Sequence, residues 1–250
     1  LIPSLQLLDH SYESPAHNIA CDEALLEDLE AGLAAPTLRF WESPAPFVVL
    51  GYANKVASEA NIEACRARGV PILRRSSGGG TVVQGPGCLN YNLTLPITDE
   101  TANITDTNCY IMRRHRDALS QIVGGEVKIQ GHTDLTVAPH DAPEDARLKF
   151  SGNAQRRKSR ALVFHGCFLL PDFDLAQIDE LLAHPSREPD YRAGRAHRHF
   201  VTAFPATREQ IKAALGEAWG ATQKIPPPTL ARLGPLIRER YSNEEWNAKF

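Results

Sequence analysis

Short apolar runs come in close pairs along this chain, and their spacing restricts the fold more than any other feature. Residues 38–41 and 47–50 are separated by Ser43-Pro44-Ala45-Pro46, which is turn chemistry between two strands and reads as antiparallel pairing. Strand patterns recur at 4–9, 71–73, 89–95, 127–129, 135–137, 148–151 and 161–170. Amphipathic helical spacing covers 16–33, 57–68, 108–122, 208–219 and 230–241, with Gly69 stopping the second helix and Pro226-Pro227-Pro228 separating the last two. Hairpin-like pairs interrupt the helices too often for a doubly wound parallel sheet. The expectation is α+β, a mixed and largely antiparallel sheet flanked by helices. The polar stretch 139–146 reads as a hairpin loop inside the domain.

Composition narrows the class. With 250 residues, 42% of them hydrophobic, one sizeable core is expected: a main domain over 1–205 with a small helical extension, 206–250, packed on it. A formal net charge of −3 gives no basic field for nucleic acid. No apolar run reaches the ~18 residues that cross a bilayer, and the first residues lack a signal-peptide pattern, so a cytoplasmic protein with no membrane partner is expected. Cys21, Cys65, Cys88, Cys109 and Cys167 are odd in number and scattered, with no CxxC spacing, which argues against a disulfide framework and a zinc site.

The densest chemistry lies at Arg74-Arg75-Ser76-Ser77-Gly78-Gly79-Gly80-Thr81-Val82-Val83-Gln84-Gly85-Pro86-Gly87, where five glycines and two arginines fall within fourteen residues. Successive glycines let a backbone approach a ligand and expose amide N–H groups to an anion, and guanidiniums add charge-assisted donors. The offsets match neither the GxxxxGK[ST] phosphate loop nor GxGxxG. A second segment, Lys149-Phe150-Ser151-Gly152-Asn153-Ala154, runs toward a strand with His165-Gly166-Cys167. Strand alternation sets Lys149 on the face opposite Leu148 and Phe150; by itself this describes an ordinary solvent-facing lysine.

Together the two segments resemble the lipoate-protein ligase A family. Arg74 to Val82 is similar to that family's lipoate-binding loop, Lys149 to Ala154 to its catalytic-lysine motif, and His165-Gly166 to the strand that follows. Further matches lie at Asn18-Ile19-Ala20 with Glu23, at Val49-Leu50-Gly51-Tyr52, at Asp134-Leu135 and at Tyr241 to Asn247, covering nearly the whole chain. The resemblance implies the fold shared by biotin and lipoate ligases, and an enzyme that activates lipoate with ATP and Mg²⁺ to lipoyl-AMP and passes the lipoyl group to a lysine of a lipoyl-domain acceptor protein. It implies that Arg74, Ser77, Gly78, Gly79, Gly80, Thr81 and Val82 hold the acyl tail and the adenylate, with Gly152 beside them. Lys149 then contacts the acyl carbonyl and the phosphate. Asp134 holds Mg²⁺ or the lysine ammonium, or is a strand-end turn residue. Asn153 donates to phosphate or caps a turn.

Gly85-Pro86-Gly87 departs from the ligases and resembles the octanoyltransferases, which carry an acyl chain from acyl carrier protein on a cysteine. The two positions where such a cysteine sits are occupied here by Pro185-Ser186-Arg187 and Gly131-His132-Thr133-Asp134. The alternatives are an octanoyl or lipoyl transferase, or a ligase subunit working with a separate activating protein, since the large ligase accessory domain is expected to be absent. A monomer is expected. Basic residues at 156–160, with Arg192, Arg195 and Arg198, suggest a rim that steers an acidic acceptor.

Overall fold

The computed structural model describes residues 4–123, 125–138, 146–185 and 187–250. In chain order the elements are β1 (Gln6–Asp9), α1 (Pro15–Glu30), β2 (Thr37–Trp41), β3 (Phe47–Leu50), α2 (Val56–Glu59), α3 (Ile62–Ala67), β4 (Ile72–Arg74), β5 (Val82–Gln84), β6 (Cys88–Pro96), α4 (Ile104–Val123), β7 (Val127–Gln130), β8 (Asp134–Val137), β9 (Leu148–Arg157), β10 (Ala161–Leu169), α5 (Ala176–Leu181), α6 (Arg208–Ala218), β11 (Gln223–Lys224), α7 (Leu230–Leu236) and α8 (Glu244–Asn247). The expected loop over 139–146 lies, for residues 139–145, outside the described residues.

Two sheets form. The larger has eight strands in the order β11-β1-β2-β6-β10-β9-β8-β7, and the smaller has three, β4-β3-β5. In the large sheet β1 pairs parallel with both β11 and β2, and the remaining pairs are antiparallel. The fold is therefore the expected mixed α+β architecture, with one correction. β2 and β3 do not pair with each other: β2 lies against β6, whereas β3 lies between β4 and β5. The proline-rich turn between them carries the chain from one sheet to the other, a use of turn residues that local sequence does not distinguish from a hairpin. The helix expected over 57–68 is likewise broken, because Ala60 is extended and bridges Leu182.

Alternation explains the layers. On β10, Leu162, Phe164 and Phe168 face a core with Ile111, Met112 and Leu119 of α4 and Ile211 and Leu215 of α6. Cys167 and Leu169 take the other face, packing with Val48, Val83 and Ile178 between the two sheets. Helix α1 buries Ile19, Ala20, Ala24 and Leu25 against Trp41, Phe47, Val49 and Leu73, with Leu233 and Tyr241 closing the far side. The gap between the sheets is where the glycine-rich segment and Lys149 meet. Among the described residues no helix is long and apolar enough to cross a membrane.

Candidate active site

A cavity of about 350 Å³ opens between the two sheets. Its apolar lining includes Ile19, Trp41, Val49, Val82, Val163 and Leu169, and its polar lining includes Asp134, Lys149 and Asn153, with Gly80, Thr81 and Gly152 among them.

Arg75 shapes the glycine loop. Its Nε donates to Ser77 Oγ at 3.0 Å, and its Nη2 donates to the carbonyls of Gly78 at 2.6 Å and Gly80 at 2.8 Å. Because a trans peptide directs its N–H opposite its C=O, the amides of Gly79 and Thr81 face away from Arg75. Neither amide donates to a protein acceptor among the described residues. Such outward N–H groups, backed by a buried cation, form an anion cradle. Burial lowers the Arg75 pKa to about 10, still cationic at neutral pH. Close packing fixes the loop's position: a Cβ on Gly51 would lie 2.0 Å from Gly79 O, and Tyr52 N donates to Ser77 O at 2.8 Å.

Arg74, expected to hold acyl tail and adenylate, is placed elsewhere. It is fully buried. Its Nη1 donates to the carbonyls of Gly51, Tyr52 and Asn54, its Nε to Trp246 O and its Nη2 to Asn247 O. With every guanidinium nitrogen on a carbonyl, it clasps the root of the loop to α8. Gly78 and Gly79 also lie outside the cavity wall, whereas Ser77, Gly80, Thr81 and Val82 line it.

Ser77 belongs to a chain of polar groups that sequence reasoning did not assemble. Its Oγ, which accepts from Arg75, lies 2.6 Å from His165 Nε2, leaving the hydroxyl proton for that nitrogen. His165 Nδ1 lies 3.9 Å from Asp22 Oδ2, and Asp22 accepts from Arg39 Nη1 at 2.5 Å and Trp41 Nε1 at 3.2 Å. Burial disfavours the charged Asp22 carboxylate, yet the Arg39 guanidinium, helped by His165, holds its pKa below the ordinary value. The signal was the buried Asp22 on α1, masked by the many acids around it.

Lys149 owes its direction to a bulge. Ser151 pairs with Leu135 and Lys149 with Thr136, so β9 carries one extra residue, Phe150, against β8. Phe150 joins the α4–α6 core, and Lys149 shares the cavity face with Gly152, whose absent Cβ would lie 2.8 Å from Nζ. Bulges commonly re-aim a side chain at a site. Lys149 Nζ lies 2.9 Å from Asp134 Oδ1, and Tyr191 donates to Asp134 Oδ2 at 2.7 Å. Of the three readings of Asp134, the structure therefore has it hold the ammonium. Both its oxygens are engaged, and no group of three or more metal-ligating side chains occurs among the described residues. A Mg²⁺ carried in by a nucleotide would at most share Asp134 with these two donors, its other ligands being phosphate oxygens and water.

Asn153 accepts from Tyr91 OH at 2.6 Å through Oδ1 and donates to Thr133 O through Nδ2. It ties strands together, and Gly166 makes room for it, since a Cβ there would meet Asn153 Oδ1 at 1.8 Å. The basic run 156–160 is not a free rim either. Arg156 pairs with Glu23, Lys158 with Glu27, and Arg160 donates to Glu30 O. Arg192 and Arg195 are turned onto nearby carbonyls, and Arg198 stands exposed beside Asp179.

A family model described as the lipoyl protein ligase A/B catalytic domain matches residues 14–215. Among curated proteins, an octanoyltransferase LipM of Halalkalibacterium halodurans is 28% identical over 97% of this chain and 98% of its own length. An Aeropyrum pernix protein bearing the lipoate-protein ligase A name is 32% identical over 92% of this chain and 87% of its own. Among solved structures, a bipartite lipoate protein ligase of Thermoplasma acidophilum, studied with its E2 lipoyl domain, superposes with a TM-score of 0.79 at 21% identity, covering 98% of this chain and 96% of that one. A lipoate-protein ligase A bound with ATP gives 0.76 at 21% identity, with 98% and 99% covered.

Proposed function

The chain belongs to the lipoyl protein ligase A/B catalytic-domain family of acyl-transferring enzymes, and from that premise we propose that it transfers a lipoyl group, carried as lipoyl-AMP, to a lysine of a lipoyl-domain protein. The observation that carries this reading is that Lys149, with its ammonium held by Asp134, and Gly80 and Thr81 of the glycine loop line one largely apolar cavity. The apolar lining suits an acyl chain, and the polar lining its carboxyl carbon.

In the transfer step the acceptor amine attacks the acyl carbonyl carbon, the C–O bond to phosphate breaks, and AMP departs with the negative charge. Lys149 stabilises the developing oxyanion and the leaving phosphate, and Thr81, whose amide is free, lines the same cavity. A preorganised donor of this kind is worth about 3 kcal/mol. The Thermoplasma ligase studied with its lipoyl domain supports the acceptor class, and its bipartite build supports an activating partner. The ligase bound with ATP supports ATP as the source of the adenylate.

A second reading, octanoyl transfer through a cysteine thioester, is favoured by the Halalkalibacterium relative and by Gly85-Pro86-Gly87. Cys167 is the one cysteine among the described residues lining the cavity. A hydrogen bond from Cys88 lowers its thiol pKa against the effect of burial, with Lys149 and Arg75 adding to it. Cys167 is therefore the cysteine whose replacement tests a thioester. Intact-mass spectrometry of an apo lipoyl domain incubated with the purified chain tests both readings. Modification by lipoate with ATP and Mg²⁺, or by lipoyl-AMP alone, supports the first, the latter with a missing activating partner. Modification only by octanoyl carrier protein, lost in Cys167→Ser, replaces it with the second.

A further inference from the structure

Lys149 is gripped from two directions by one irregular segment, residues 190–202. Its backbone N–H donates to Phe200 O and its carbonyl accepts from Thr202 N, each at 2.9 Å. Its ammonium meets Asp134 Oδ1, whose other oxygen accepts from Tyr191 of the same segment. We infer that Tyr191 is a positioning residue, whose hydroxyl fixes the Asp134 carboxylate and thereby aims the Lys149 ammonium into the cavity. This rests on the reading of Lys149 given above.

The coupling from Tyr191 to Lys149 is mechanical. A carboxylate anchored through one oxygen turns about its Cβ–Cγ bond, and a lysine ammonium on a four-carbon stem follows it. Two anchored donors remove that freedom and leave a single geometry. Tyr191 is itself well held: its ring lies 5.2 Å from Phe200, its carbonyl accepts from Arg195 Nη2 at 2.8 Å, and Arg195 Nη1 reaches Arg147 O at 3.3 Å. Burial, then the charge of Asp134, push the Tyr191 hydroxyl far above its ordinary pKa, so it remains a donor throughout the working pH range. The arrangement matches the general need of a reacting group for a supporting layer that locks its orientation.

Tyr191→Phe retains the ring and removes only the hydroxyl. We would measure transfer to an apo lipoyl domain by the full chain, from lipoyl-AMP or octanoyl carrier protein, whichever the wild type uses. Tyr191→Phe, Asp134→Ala and the double variant are compared, with Lys149→Ala beside them. The expected result is a kcat about tenfold lower for Tyr191→Phe at unchanged acceptor KM, a cost in keeping with small misplacements of a reacting group. Asp134→Ala loses more, and the double variant loses no more than Asp134→Ala alone. Multiplicative losses in the double variant, or a raised KM at wild-type kcat, overturn the positioning role while an inactive Lys149→Ala leaves the proposed function intact. Wild-type turnover by Lys149→Ala overturns both.

Discussion

The two walls of the cavity differ in what they offer a ligand: the small sheet presents backbone, and the large sheet presents side chains. On the first wall, Arg75 turns the carbonyls of Gly78 and Gly80 inward and leaves amides facing the site, so the chemistry belongs to peptide groups and the side chains only shape them. On the second, Lys149, Asp134 and His165 project from paired strands, and each is held by a neighbour. The difference teaches that the walls fail in different ways. The large-sheet wall loses function when one side chain is cut, and the small-sheet wall when its backbone is moved.

Lys149→Ala removes the ammonium that Asp134 holds on the second wall and should lower kcat for acyl transfer at least about a hundredfold, without displacing the melting temperature by more than a few degrees. Single-turnover transfer beside thermal melting measures this. If the cradle amides alone sustain turnover, the division between the walls is wrong.

Gly51→Ala attacks the first wall without touching any charged group. Its Cβ would collide with Gly79 O, and relief has to come from the loop backbone, at about 1–3 kcal/mol of overpacking. Transfer should fall by roughly tenfold, with the loss appearing mainly as a raised KM for the acyl-adenylate. A variant with wild-type KM would show that the loop's position is set elsewhere.

Arg74→Lys sharpens the contrast between adjacent arginines. A lysine cannot reach the carbonyls that Arg74 joins, and the unsatisfied buried groups should cost about 3 kcal/mol of stability, read as a lower urea midpoint. At temperatures where the variant stays folded, KM for the acyl donor should rise less than in Gly51→Ala, because Arg74 holds only the root of the loop and does not line the cavity.

The smallest effect on transfer belongs to the core beneath the second wall, where the change is in stability alone. Burial, with the charge of Arg114 adding to it, lowers the His115 pKa from 6.5 to about 3, and Trp219 Nε1 donates to its Nε2 at 2.9 Å. Between those two values the unfolded chain binds a proton that the folded chain refuses. Stability is therefore complete above about pH 6.5 and declines as pH falls toward 3, by at most about 1.4 kcal/mol per pH unit. His115→Gln, which keeps an acceptor for Trp219, should flatten that part of a melting-temperature profile; an unchanged slope would assign it to the carboxylates.

Much of this was legible in the sequence. The long periodic helices α1, α4 and α6 and the strands β6 and β10 follow directly from apolar spacing, and the order of motifs carried the resemblance that named the fold. What stayed hidden has physical reasons. Arg74 and Arg75 are neighbours whose roles differ because successive residues leave a strand on opposite sides, and composition does not say which side holds the ligand. The extra residue Phe150, which brings Lys149 and Gly152 to one face, shows only in the pairing register. Tyr191 lies in an irregular segment with no period to mark it. The basic run 156–160 resembled a docking rim because its partners, the acids of α1, lie more than a hundred residues upstream.

One contact has a consequence for how the molecule is made. Arg74 is clasped by Trp246 and Asn247, 172 and 173 residues downstream. On a ribosome, the strands and α1 can collapse long before those residues are synthesised, but the root of the anion cradle waits for them. Until Trp246 and Asn247 emerge, the Arg74 guanidinium lacks the two carbonyls that join it to α8, so this closure of the loop root belongs to the last stage of synthesis.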